Sequence, residues 1–289
     1  MFNIVDSQSV HNAYLLKAED LNTYYSGILK KFRKKFNVVL KNPEDEEAIH
    51  AVRVSIKRIN AFSKFIKHIN KHFDYDTAYS PLQKLYKEIG NSRDPQLMLD
   101  QVYKILGESG KSAIIIKANH ALNISKYRKI FKKDFFKAHQ INVEHAIKQC
   151  SLKKGTVRYL DSLKTQIKSI INLNPGTRMP RLHELRKLLK EMQYNLHFLA
   201  TETDLECQGE KADAQLKYMT NLLGDWHDRK MLLAEIGEKN PVFSFVKGNS
   251  GAKTRLEKEI KLQCNLLLSR INVLCADKGE AINFLINST

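Results

Sequence analysis

The chain has 289 residues, 43% of them apolar, enough for one large or two ordinary cored domains and too apolar for a disordered chain. Its 48 Lys and Arg against 31 Asp and Glu leave a net charge of +17, which points to polyanions or anionic surfaces as partners and says little about fold. The dispersed Cys150, Cys207, Cys264 and Cys275 form no Cys-x-x-Cys pair, which argues against a disulfide framework or a zinc site and fits a reducing compartment; no signal peptide and no membrane span are expected.

Only 12 Gly and 6 Pro punctuate the chain, and no stretch alternates β-branched residues with period two. The expected fold is all-α. In the first half the periodicity predicts helices near 10–41, 44–73, 80–89, 95–106 and 111–149, the last with a candidate break near Asn123. In the second half it predicts helices near 156–172, 180–201, 210–223, 229–237 and 252–276. Asn42-Pro43 and Asn174-Pro175-Gly176 are turn signals. Lys153-Lys154-Gly155 is the best join, dividing an N-terminal helical repeat, 1–150, from a C-terminal one, 151–289. Acidic residues crowd into 44–47 and 202–213 and are absent from 48–73 and 109–133.

One short pattern occurs twice. The first copy is His50-Ala51-Val52-Arg53-Val54-Ser55-Ile56-Lys57; the second is His183-Glu184-Leu185-Arg186-Lys187-Leu188-Leu189-Lys190. Each is followed by a Gly-x-x-x-Asp signal, Gly90 to Asp94 and Gly224 to Asp228. The copies are offset by 133 residues at the histidines and 134 at the glycines. Two patterns in one order at nearly one offset indicate an internal duplication. Gly90 and Gly224 are read as helix C-termini, and Asp94 before Pro95 as a helix N-cap.

On a helical wheel His50, Arg53, Lys57, Lys64, His68 and Lys71 share an arc of about 60°. Val52, Ile56, Ile59, Phe62, Ile66, Ile69 and Phe73 occupy the other side. In the second copy His183, Arg186, Lys190, Tyr194 and His197 fall within roughly 80° of each other. Each stripe excludes carboxylates, although mixed charges stabilise an exposed helix better. Clustered cations of one sign store repulsion that an anion relieves. Arg offers a planar fork and Lys a mobile point charge, which suits phosphate. A long row suits an extended anion better than a nucleotide, and no glycine-rich phosphate loop is present. A further basic cluster contains Lys126, Arg128, Lys129, Lys132 and Lys133; it extends the basic surface or forms the solvated outside of a helix.

The segment from Pro43 through His50, Arg53, Lys57 and Arg58 resembles the opening motif of the CHAD family, the conserved histidine α-helical domains. Leu182 to Lys190 resembles that family's second histidine motif, and the two Gly-x-x-x-Asp signals look like its third-helix motifs. The resemblance implies two four-helix bundles related by a pseudo-twofold axis, with a basic channel between the histidine helices. It implies binding of inorganic polyphosphate without catalysis, cofactor or metal, in the cytoplasm and in association with polyphosphate granules. By position, the ligand residues are His50, Arg53, Lys57, Arg58, His183, Arg186, Lys187 and Lys190. Lys64, Tyr194, Arg128 and Lys132 are added from the basic surfaces. Asn60, Glu191 and Gln193 stand where the family pattern has basic residues.

Two other readings compete. A general nucleic-acid binder fits the charge, but single-strand binders interleave stacking rings with cations, and these faces carry only Tyr194. A metal phosphohydrolase of the HD class fits the order His183, His227-Asp228, Asp277. The equivalent of His227 in the first copy is Arg93, however, and cations crowd the site.

Overall fold

The structure, a computed structural model, describes residues 17–107, 114–116, 125–149, 151–199, 206–237, 243–245 and 250–276. Among the described residues the chain is all-α apart from one short ribbon. Helix α1 (Ala18–Lys41) and α2 (Glu46–Ile69) form an opening pair. Helix α2 starts just after the Asn42-Pro43 turn signal, close to the predicted start at 44. Asp45 accepts the Ala48 N–H at 2.8 Å, and Glu46 and Glu47 occupy the positive end of the helix dipole. Val52, Ile56, Ile59, Phe62 and Ile66 are fully buried, so the wheel assigned the core face correctly.

Helix α3 (Tyr75–Leu106) follows, capped by Asp74, which accepts the Thr77 N–H at 3.1 Å. Strand β1 (Ile114–Ile116) and a 3-10 turn (Ser125–Arg128) lead to α4 (Lys133–Lys148) and α5 (Leu152–Ile171). A single helical turn, Pro175–Arg178, and a 3-10 turn precede α6 (Leu182–Leu199). Helix α7 (Glu206–Gly237), strand β2 (Phe243–Phe245) and α8 (Ser250–Ala276) complete the described chain.

Three expectations are corrected. The predicted pairs 80–89 with 95–106, and 210–223 with 229–237, are each one continuous helix of 32 residues, α3 and α7. Gly90 and Gly224 are therefore interior rather than C-terminal, and the backbone at Asp94-Pro95 continues a helix instead of starting one. The local proline penalty of about 3 kcal/mol is offset by burial on both sides: Leu82, Leu85 and Ile89 before it, Leu99, Val102 and Leu106 after it. The predicted helix 111–149, with its candidate break near Asn123, is helical only from Lys133 to Lys148 and in the 3-10 turn Ser125–Arg128 among the described residues. Ile114, Ile115 and Ile116 pair antiparallel with Phe245, Ser244 and Phe243, as three consecutive β-branched residues favour. The predicted helical residues 10–16, 117–124 and 200–201, and Asp277, lie outside the described residues.

One core joins elements of both halves. It contains Phe32 and Phe36 of α1, Phe62 and Phe65 of α2, Tyr159 of α5, Leu185 and Leu189 of α6, and Leu223 and Trp226 of α7. Phe131 meets Phe32 and Phe36 edge-on at 5.4 and 5.2 Å, so the basic segment 126–133 is anchored by its aromatic residues. A smaller second core gathers Leu99, Val102 and Leu106 of α3, Leu232 and Ile236 of α7, and Leu256 and Ile260 of α8. Helices α2 and α5 touch at Gly155, where an added Cβ would lie 2.7 Å from the Ile69 Cγ2. Helix α2 also packs on α6, which places the two histidine helices side by side.

Candidate functional site: a cation cluster between the histidine helices

Helices α2 and α6 turn their buried faces to the core and leave their basic faces along a common seam with α3 and α7. Arg53 lies over the Tyr86 ring of α3, 4.7 Å from its centroid, and its Nη2 donates to the Tyr86 hydroxyl at 3.4 Å. Lys57 approaches the same ring at 5.7 Å. Arg58 lies 5.9 Å from the Tyr194 ring of α6. The Tyr194 carbonyl accepts from the Tyr24 hydroxyl at 3.1 Å, which ties α1 to the seam.

The two stripes meet at Lys190. Burial, then Arg186, then Lys57 push its pKa down to about 8. Asp213 and Lys217 of α7 act on the same group in opposite directions. The Lys190 Nζ donates to Gln193 Oε1 at 3.0 Å, and Gln193 Nε2 donates to Asp213 at 3.1 Å. Cations from both copies of the motif therefore share one field, and one carboxylate offsets part of it.

Gly224 explains how Arg186 enters the cluster. A Cβ there would lie 3.2 Å from Arg186 Nε and 3.3 Å from Nη2, so the guanidinium rests against the α7 backbone. The Nε is buried and meets no acceptor among the described residues. Beside it the His183 and His227 rings stack with centroids 4.3 Å apart. Burial, His227, Lys187 and Arg186 hold the His183 pKa down to about 4. Burial likewise lowers His227 and raises Asp228. Both histidines thus favour the neutral form near pH 7, His183 strongly and His227 by a shift in the same direction.

Of the residues singled out from the sequence, Arg53, Lys57, Arg58, His183, Arg186, Lys187, Lys190 and Tyr194 gather at this seam. His50 is exposed on the first turns of α2. Lys64 is engaged by Glu191, Nζ to Oε2 at 2.6 Å. Arg128 and Lys132 are exposed on the segment after β1, and no hydrogen bond, ion pair or ring contact joins them to the seam among the described residues. Their neighbour Lys126 instead pairs with Glu88 at 2.9 Å. The sequence reading missed Tyr86 and Tyr24 and misread Gly224. Tyr86 stands four residues before Gly90, but the equivalent position before Gly224 is Thr220, so the repeat held no signal for it.

The His183, His227 and Asp228 group does not fit a cation. Arg186, Lys187 and Lys230 all press on His227, and no cluster of three or more His, Cys, Asp or Glu able to hold a metal occurs among the described residues. No helix among them is long and apolar enough to cross a membrane.

Fold and seam together define an all-helical protein with a concentrated cation site between two histidine helices. The CHAD domain model matches residues 24–236, and the chain belongs to that family. Among solved structures, PptA from Streptomyces chartreusis shares the fold, with a TM-score of 0.58 at 13% identity, over 90% of this chain and 99% of that one. No curated protein matches the chain.

Proposed function

We propose that this protein binds inorganic polyphosphate at the seam between α2 and α6 and does not hydrolyse it. One observation carries the reading: Arg53, Lys57 and Arg58 of the first copy and Arg186 and Lys190 of the second converge on one seam, where burial, then Arg186 and Lys57, depress the Lys190 pKa. That repulsion is relieved by a polyanion threaded along the seam, with Arg forks and Lys point charges on its oxygens. Membership of the CHAD family supports the same ligand.

The proposed architecture is two helical halves, 1–150 and 151–289, related by a pseudo-twofold axis, with the seam as the channel between them. The contact of α2 with α6 supports it. So does the ribbon, because β1 follows α3 and β2 follows α7, and a twofold axis brings equivalent strands together antiparallel. The proposed setting is the cytoplasm, at polyphosphate granules.

Nucleic acid is the poorer fit. Rings do stand among the cations, contrary to the reading that only Tyr194 does. Their faces are taken by the protein's own groups, Tyr86 by Arg53 and Lys57, and Tyr194 by Arg58. Bases need such faces for stacking.

The test titrates the protein with long-chain polyphosphate, single-stranded DNA and duplex RNA at matched salt. Polyphosphate is expected to bind most tightly, with affinity falling steeply as salt rises through counterion release. Arg53→Ala and Arg186→Ala are each expected to lose about 1–3 kcal/mol of binding. The double variant should lose more with long chains than with short ones. Tighter binding of DNA, or phosphate release in Mg²⁺ or Mn²⁺, would overturn the reading.

A further inference from the structure

The basic rail that the wheel draws along α2 is interrupted in space. Glu191 of α6, its side chain only 10% exposed, stands against Lys64 at 2.6 Å. Its other oxygen accepts from the Tyr159 hydroxyl at 3.1 Å, and the buried Asn195 donates from Nδ2 to Tyr159 and to the Ala61 carbonyl. Donors from α2 and α5 thus hold the carboxylate in place. The ion pair is a neutral step in an otherwise positive path.

Beyond it, at the C-terminal end of α2, lies a separate cleft of about 460 Å³. Lys64, Lys67, His68, Lys71, Tyr75 and Arg158 line it, and no carboxylate does. The lining comes from α2, the turn after it, the start of α3 and α5, and local bonds fix it. Lys67 Nζ donates to the Lys71 and Phe73 carbonyls at 3.3 and 3.1 Å. Arg158 Nε donates to the Lys154 carbonyl at 3.3 Å, and the Tyr75 hydroxyl donates to Asn60 Oδ1 at 2.5 Å. The His68 ring meets Tyr159 edge-on at 5.5 Å. Carboxylates stand near the cleft without lining it: Glu191 is held by Lys64 and Tyr159, Asp74 accepts the Thr77 N–H and acts on Lys67, and Asp76 acts on Tyr75. Arg158 lies outside both copies of the repeated motif, so the duplication does not account for this cleft.

We propose that this cleft is a second phosphate-binding site, distinct from the α2–α6 seam and parted from it by the Lys64–Glu191 pair. It takes a run of a few phosphate units, with the Arg158 fork on one side and Lys67 and Lys71 on the other. The proposal deepens the polyphosphate reading and rests on it: a long chain occupies both sites and crosses the neutral step between them. Binding at one site then raises the effective concentration of phosphate at the other.

The test is calorimetric titration of the full chain with inorganic tripolyphosphate, too short to reach both sites. The wild type is expected to take two equivalents. Lys71→Ala/Arg158→Ala changes two exposed residues and should keep the fold; it is expected to take one. Arg186→Ala should lose the other. With long-chain polyphosphate, the cleft variant should bind roughly tenfold more weakly than wild type, because the linked second contact is gone. If the cleft variant still takes two equivalents while Arg186→Ala takes one, the cleft is solvated surface and the second site is wrong. If neither variant differs from wild type, the polyphosphate reading of the seam falls as well.

Discussion

Gly224 has no side chain where Arg186 needs room, and this sets the position of the strongest phosphate fork in the seam. Gly224→Ala adds one methyl against a guanidinium, in a helix that alanine otherwise favours. The expected outcome is a loss of roughly 1 kcal/mol in polyphosphate affinity with an unchanged or higher melting temperature. Equal affinity in variant and wild type would show that Arg186 is not positioned by this contact. Lys190 supplies the pH dependence. Its pKa in the free protein is about 8, and a bound anion raises it. The charge is present below that value, so affinity should hold near pH 7 and fall as the pH rises through 8 towards 9. Lys190→Arg should flatten the profile, since arginine keeps its proton. His183, held near 4, adds charge only in acid, so it contributes no step to binding near neutral pH.

At the scale of elements, periodicity and turn signals carried much of the fold. The turn signal at Asn42-Pro43 and the apolar face from Val52 to Ile66 gave α2, and the Leu182–Leu189 pattern gave α6. The breaks inside α3 and α7 were misplaced because Asp-Pro and Gly are local signals, whereas the continuity comes from apolar residues that pack into two different cores. The ribbon escaped because three isoleucines are too short a run to separate strand from helix by period. The seam was legible as two stripes, but their meeting at Lys190 is a tertiary fact. So are the Tyr86 and Gly224 contacts. Gly155 is a similar case: read as a join, it is the point where α5 touches α2. Gly155→Ala would press a methyl on Ile69 and should cost about 1–3 kcal/mol of stability, seen as a lower melting temperature. An unchanged melting temperature would mean that the two helices separate at little cost.

For the whole molecule, the net charge of +17 makes self-repulsion a standing cost of compactness, and a bound polyanion removes part of it. The charge and the cores are unevenly distributed. The large core holds α2 and α6, and therefore the seam. The small one, Leu99 to Leu106 with Leu232, Ile236, Leu256 and Ile260, holds only the far ends of α3 and α7 against α8. Its modest buried area makes it the natural unit of partial opening, since local stability follows local apolar burial. Amide hydrogens of Val102, Leu232 and Ile260 should therefore exchange with solvent faster than those of Ile56, Phe62 and Leu189. Equal protection at all six would show a single cooperative unit. Polyphosphate should slow exchange in the second group far more than in the first, because only the second lies on the helices that hold it. The far ends of the two long helices can then breathe while the ligand stays bound.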